Sequence, residues 1–156
     1  ARIAHLCEVI SPLLQRTQRT NGMSKWVCYY HVVWSTKQRL PTLIDERIGV
    51  AERMVRAIGR DHECEVIAFG TMPDHVHVAI SIPPKASVSD IVRRLKGGSS
   101  KAIGELEAAI PEWGGWQHEY SVFTVGQPHL SRVIRYIETQ AEHHANGNTI
   151  PAYEPD

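Results

Sequence analysis

Cysteine is scarce in this chain, phenylalanine scarcer still, and long hydrophobic runs are missing altogether. Cys7, Cys28 and Cys64 are odd in number and widely spaced. They suit neither a disulfide framework nor a zinc ribbon, so reduced thiols are expected. No stretch approaches the roughly 18 apolar residues of a membrane helix, and no h-region followed by a small-residue cleavage site opens the sequence. The expectation is a soluble cytoplasmic protein with no membrane partner. Internal repeats and low-complexity tracts are lacking as well. With 11 Gly and 9 Pro in 156 residues, a collagenous, coiled-coil or wholly disordered chain is excluded. The length fits one domain, or one domain with a short appendage.

Net charge is also lacking. Seventeen basic residues balance seventeen acidic ones, which taken alone argues against a nucleic-acid partner. The balance hides blocks, however. Residues 1–40 hold six basic and one acidic residue, and 85–101 hold five and one. The segments 41–84 and 102–156 are acidic. Two basic blocks either present one positive groove or scatter over a solvated surface; charge alone leaves both open.

The Asn21-Gly22 turn signal closes a basic N-terminal extension over 1–22, followed by a domain over 23–147 and a short acidic tail over 148–156. Residues 26–34 (WVCYYHVVW) are almost all aromatic or β-branched and predict a strand. Ile44, Ile48, Ala51, Val55 and Ile58 recur at helical spacing and predict a helix over 41–59. Strands follow over 64–69 and 75–82. A second helix is expected over 87–95, with Ser87 and Asp90 as a capping box and Gly97-Gly98 ending or interrupting it. A strand over 120–125 and a single helix over 130–145 complete the pattern. The order β-α-β-β-α-β plus one helix implies an α+β, ferredoxin-like split β-α-β sandwich. It has an antiparallel four- to five-stranded sheet, two helices on one face, and a C-terminal helix.

Chemistry concentrates in the third strand, His75 to Ile82. Alternation sends Val76, Val78, Ile80 and Ile82 to one face, beneath the helices, and His75, His77, Ala79 and Ser81 to the other. Two imidazoles about 7 Å apart on one face, beside a floor of small residues, can reach one divalent cation. A bare H-x-H pair is equally at home on a solvated sheet face. In the last helix, Leu130, Val133, Ile134, Ile137 and Ala141 form an apolar arc. Tyr136 and Gln140, at i and i+4, border it on one flank. Periodicity alone makes them a snorkelling ring and a solvated amide.

The segment MPDHVHVAI (72–80), with its His-hydrophobic-His core, resembles the HUH motif of single-tyrosine HUH transposases, the small insertion-sequence and REP-associated enzymes. YHVVWSTKQR (30–39), RRLKGGSSKAI (93–103) and EYSVFTVG…VIRYIETQ (119–140) are similar to further family segments. Residues 136–140 match its Y-x-x-x-Q motif. The resemblance covers about 23–145 and leaves 1–22 and the Glu142-His143-His144 ending without a counterpart.

The resemblance implies a DNA-cleaving and strand-transferring enzyme acting on hairpin-bearing single-stranded DNA. Tyr136 would be the nucleophile, forming a 5′-phosphotyrosine and freeing a 3′-OH. His75, His77 and Gln140 would hold a divalent metal ion, Mg²⁺ or Mn²⁺, and Zn²⁺ or Ni²⁺ would also be accepted. Family members are homodimers in which the tyrosine helix of one subunit can complete the other's site. The first strand, apolar on both faces, reads as either an interface strand or a buried central one. DNA would meet Lys25, Lys37, Arg39, Arg93, Arg94, Lys96 and Lys101, with phosphate on the Gly97–Ser100 turn and bases stacked on Trp113, Trp116 and Tyr120. Two alternatives remain: a relative that binds hairpins without cutting them, and a metal-dependent hydrolase or storage protein using the H-x-H strand with His143 and His144.

Overall fold

The four β-rich segments pair as their alternation requires. The computed structural model describes residues 26–106, 113–147, 149–151 and 154, so the extension over 1–22, Lys25 and most of the tail lie outside it. Strands β1 (Tyr29–Ser35), β2 (Glu65–Met72), β3 (His75–Ser81) and β4 (Ser121–Val125) form one antiparallel sheet in the order β2-β3-β1-β4. β1 is bonded to β3 on one side and β4 on the other. Its two apolar faces therefore mark a central strand, and it offers no edge to a second subunit.

Helices α1 (Glu46–Asp61) and α2 (Val88–Leu106) cover one face. Val32, Trp34, Val76, Val78, Ile80 and Ile82 are packed there against Ala51, Val55, Val92 and Leu95. α1 starts later than its periodicity suggests. Leu43 is drawn into the core, its N–H donating to the Pro73 carbonyl at 2.8 Å, so Pro41 to Asp45 cannot coil and Ile44 is left exposed.

α2 runs through Gly97-Gly98 instead of ending there. A Cβ on Gly98 would lie 2.2 Å from Ile58 Cδ1, so the missing side chain is what lets α1 and α2 approach. Leu95, Ser99 and Ile103, spaced at four, are buried on this side. The expected phosphate-binding turn over 97–100 is therefore helical backbone, with its amides already committed to the helix.

The other face is covered by α3 (Leu130–Glu138), continued by α4 (Gln140–Ala145). Leu130, Val133, Ile134 and Ile137 pack on Tyr29, Ala68 and Ala79, each burial contributing about 1.5–3 kcal/mol. The single helix expected over 130–145 is broken at Thr139 (φ −108°, ψ 22°). The Thr139 hydroxyl donates to the Arg135 carbonyl at 2.8 Å, the back-bonding that bends helices. Past this break Ala141 leaves the apolar arc and is exposed. Among the described residues no helix is long and apolar enough to cross a membrane.

Candidate active site

The polar face of β3 lies under the junction of α3 and α4, and the two meet over the histidines. His75 and His77 are buried, and so are Tyr136 and Gln140, which periodicity alone would have left at the solvent border. The tyrosine belongs to the same chain as the histidines it faces, its ring centroid 6.0 Å from that of His77.

Each imidazole is held from behind. His75 Nδ1 lies 2.6 Å from Asp74 Oδ1, and Asp74 Oδ2 in turn accepts from Arg39 Nε and Nη2 at 3.1 and 3.0 Å. His77 Nδ1 lies 2.9 Å from His31 Nε2. The Asp74 carboxylate assigns the His75 proton to Nδ1, and with both Nδ1 atoms engaged the Nε2 atoms of the two rings face one space. A ligating histidine is usually oriented in this way, by a partner on its far nitrogen.

Burial pushes the pKa of both rings down. Asp74 opposes the shift at His75 through its hydrogen bond and charge. At His77 the neighbouring His31, His75 and His144 deepen it. Burial alone lowers His31 to about 4. Asp74 is raised by burial, but the hydrogen bonds and charges of His75 and Arg39 outweigh that and hold it below the usual carboxylate range. The three imidazoles are therefore neutral near pH 7, the state in which a histidine can ligate.

Gln140 points its amide into the same space. Its Nε2 lies 2.8 Å from His77 Nε2, 3.1 Å from His144 Nε2 and 3.5 Å from His75 Nε2. Its Oε1 is buried without a hydrogen-bond partner. A half-turn of the carboxamide exchanges these two atoms, and a cation among the imidazoles would draw the oxygen inward. Neutral rings, convergent lone pairs and an orphaned amide oxygen fit a divalent ion.

Glu154 closes the site from the tail. One oxygen accepts the Tyr136 hydroxyl proton, and the Ile150 N–H donates to the Tyr136 oxygen at 3.2 Å. The other lies 3.4 Å from His75 Nε2 and 3.2 Å from His144 Nε2. His143 stacks on the Tyr136 ring at 4.9 Å and holds its plane.

Asp74, His31 and Glu154 were not among the expected ligands or nucleophile, and His144 was expected only in the alternative reading of a metal-dependent hydrolase or storage protein. Alternation in β1 carried a signal for His31, since Val32 and Trp34 mark the opposite face. Glu154, in an acidic tail, carried none.

The expected DNA-contacting residues divide. Arg39 is spent partly on Asp74. Arg93, Arg94 and Lys101 are exposed on α2, on the sheet face away from the imidazoles, so these three cations do not line this site. Lys96 is largely occupied, its ammonium donating to the Gln117, His118 and Glu119 carbonyls at 2.7, 2.7 and 2.9 Å. Trp116 donates to Ser99 Oγ at 3.0 Å and meets Trp34 and Trp113 edge to face, sealing the sandwich edge. Tyr120 remains exposed beside a cleft of about 490 Å³ that Arg93, Lys96 and Trp116 also line.

Residues 24–140 match the family described as transposase IS200 like. The ISDra2 transposase TnpA of Deinococcus radiodurans is 33% identical over 115 residues, spanning 71% of this chain and 82% of that one. A crystal structure of a transposase candidate from Deinococcus radiodurans R1 is similar at TM-score 0.62 and 26% identity, covering 83% of this chain and 97% of that one. The REP-associated tyrosine transposase bound to a REP hairpin shares the fold at TM-score 0.57 and 14% identity, with coverage of 83% and 76%.

Proposed function

The chain belongs to the IS200-like transposase family and has a transposase function, and from that premise we propose that it nicks and rejoins hairpin-bearing single-stranded DNA through Tyr136. The observation that carries this reading is the Glu154 carboxylate. One oxygen takes the Tyr136 hydroxyl while the other faces the imidazoles of His75 and His144. A phosphodiester replacing that carboxylate would touch the nucleophile and the ligand cluster at once.

In the reaction the Tyr136 oxygen attacks phosphorus, the bond to the 3′ oxygen breaks, and a 5′-phosphotyrosine and a free 3′-OH result. A later 3′-OH reverses the exchange, so no external energy source is needed. A phenol of pKa about 10 is roughly 0.1% ionised at pH 7, so placement matters. The stacked His143, the edge of His77 and the Ile150 N–H fix the ring and its oxygen. His75, His77 and Gln140 would hold the divalent ion, Mg²⁺ or Mn²⁺, which when bound supplies charge to polarise the phosphate oxygens. Arg39 and Asp74 keep the His75 ring in register for that task.

DNA contacts are assigned to Lys37, Arg39, Arg93, Arg94 and Lys101, with the cleft beside Tyr120 suited to an unpaired base. The hairpin carried by the REP-associated neighbour supports this substrate class. We read the active form as a cytoplasmic homodimer. The open edge of β4, where Val122 is 40% exposed, supports strand pairing between copies. Tyr136 already meets its own chain's histidines, so completion in trans would require α3 and α4 to leave Ala68 and Ala79.

The test is a labelled single-stranded hairpin incubated with Mn²⁺. Wild type should gain a covalent DNA adduct and Tyr136→Phe none. Equal adducts from both would remove Tyr136 as nucleophile. Hairpin binding without an adduct from wild type, under every divalent metal, would favour a binder that does not cut.

A further inference from the structure

The Glu142-His143-His144 ending has no counterpart in the family motifs, yet the fold carries its last residue in among the ligand atoms. α4 begins at Gln140, so His144 is one turn on and shares its face. Its Nε2 lies 3.1 Å from Gln140 Nε2 and 3.2 Å from Glu154 Oε2, and its ring centroid is 5.3 Å from that of His75. His143 points elsewhere, onto Tyr136.

We propose that His144 is a third imidazole ligand, with the Glu154 carboxylate as a further donor, so that the ion is held by His75, His77 and His144 and not by the histidine pair and amide alone. The inference rests on the reading that this cluster holds a cation. The ligand atoms of His75, His144 and Glu154 all lie within 4.8 Å of one another. Donors about 2.1 Å from one ion lie within about 4.2 Å of each other, so small side-chain rotations bring these three together. The His77 Nε2 to Glu154 Oε2 separation of 3.9 Å already meets that limit.

The consequence is metal selectivity. Mg²⁺ prefers oxygen donors and retains water, whereas three imidazoles favour a borderline transition ion such as Zn²⁺, Co²⁺ or Ni²⁺. One open position must remain for phosphate, and the carboxylate, arriving from the tail, is the donor that phosphate chemistry would replace.

Two measurements on the full chain test this. X-ray absorption of the Zn²⁺-loaded wild type should count three imidazoles, and a count of two would overturn the proposal without any variant. Calorimetric titration of the EDTA-stripped protein with Co²⁺ should show His144→Ala losing more than about 100-fold in affinity, beyond the range of an outer-shell change. Glu142→Ala, exposed on the same short helix, should bind Co²⁺ as wild type does. Affinity unchanged in His144→Ala but lost in His77→Ala would overturn the third ligand and leave the histidine pair standing. Affinity unchanged in both would sink the cation site itself.

Discussion

His31 shows what a single buried side chain does here. It sits on β1 with no exposure, its Nε2 2.9 Å from His77 Nδ1. Burial holds its pKa near 4, against 6.5 for a histidine in water. The unfolded chain therefore binds a proton that the folded chain refuses between these values. Stability contributed by neutral His31 is intact above about pH 6.5 and is lost as pH falls toward 4. The loss is up to roughly 3 kcal/mol, with His75 and His77 shifted in the same direction. Denaturant midpoints measured in EDTA should drop across this window, and His31→Gln, which retains an acceptor, should flatten the slope. A variant slope equal to wild type would show that His31 titrates alike in both states. H-x-H and Y-x-x-x-Q were legible as residue patterns. The roles of Asp74 and Glu154 were not: Asp74 is the sequence neighbour of His75, but only the fold turns its carboxylate onto that ring, and Glu154 arrives by a tertiary contact that leaves no periodic trace.

At the scale of elements, glycines decide how closely the layers approach. On β2, a Cβ at Gly70 would stand 2.3 Å from the Ile137 carbonyl and 2.8 Å from its Cγ2. Backbone cannot step aside cheaply, so Gly70→Ala should push α3 off the sheet and carry Tyr136 and Gln140 with it. The expected outcome is loss of DNA adduct, and overpacking should cost about 1–3 kcal/mol in thermal or denaturant melts. Within α2 the two adjacent glycines should part company. Gly98→Ala forces Ile58 to move and should destabilise by about 1 kcal/mol. Gly97→Ala meets nothing within 4 Å and should stabilise by about 0.5–1 kcal/mol, since alanine is the better helix former. Opposite signs from neighbouring positions would verify the packing of α1 on α2. The same contact explains why Gly97-Gly98 misleads as a helix stop: local propensity is outweighed by burial of Leu95, Ser99 and Ile103. At Thr139 the error runs the other way, because a side-chain hydrogen bond breaks a helix that apolar spacing would continue.

For the whole molecule, the sheet places the imidazole cluster and the candidate DNA contacts of α2 on different sides. The imidazole cluster lies beneath α3 and α4, while Arg93, Arg94 and Lys101 project from α2 on the opposite face. The proposed strand pairing between copies is assigned to the edge strand β4, since β1 is enclosed by two neighbours. Sedimentation should give wild type twice the chain mass of 17.5 kDa. Val122→Lys puts a charge on the exposed strand edge and should shift the protein to monomer. A variant that stays dimeric would move the interface away from β4.

The amino-acid sequence by itself determined the element order, the two faces of β3 and the small-residue floor beside its histidines. Each of these follows from side chains two to four positions apart, whose directions the backbone dictates. Only the tertiary structure decided that β1 is central, that α2 passes through its glycines, and that α4 turns His144 toward His75. It alone placed Glu154 between the Tyr136 hydroxyl and the imidazoles. Those outcomes depend on contacts between residues far apart along the chain, where packing and burial outweigh any local pattern.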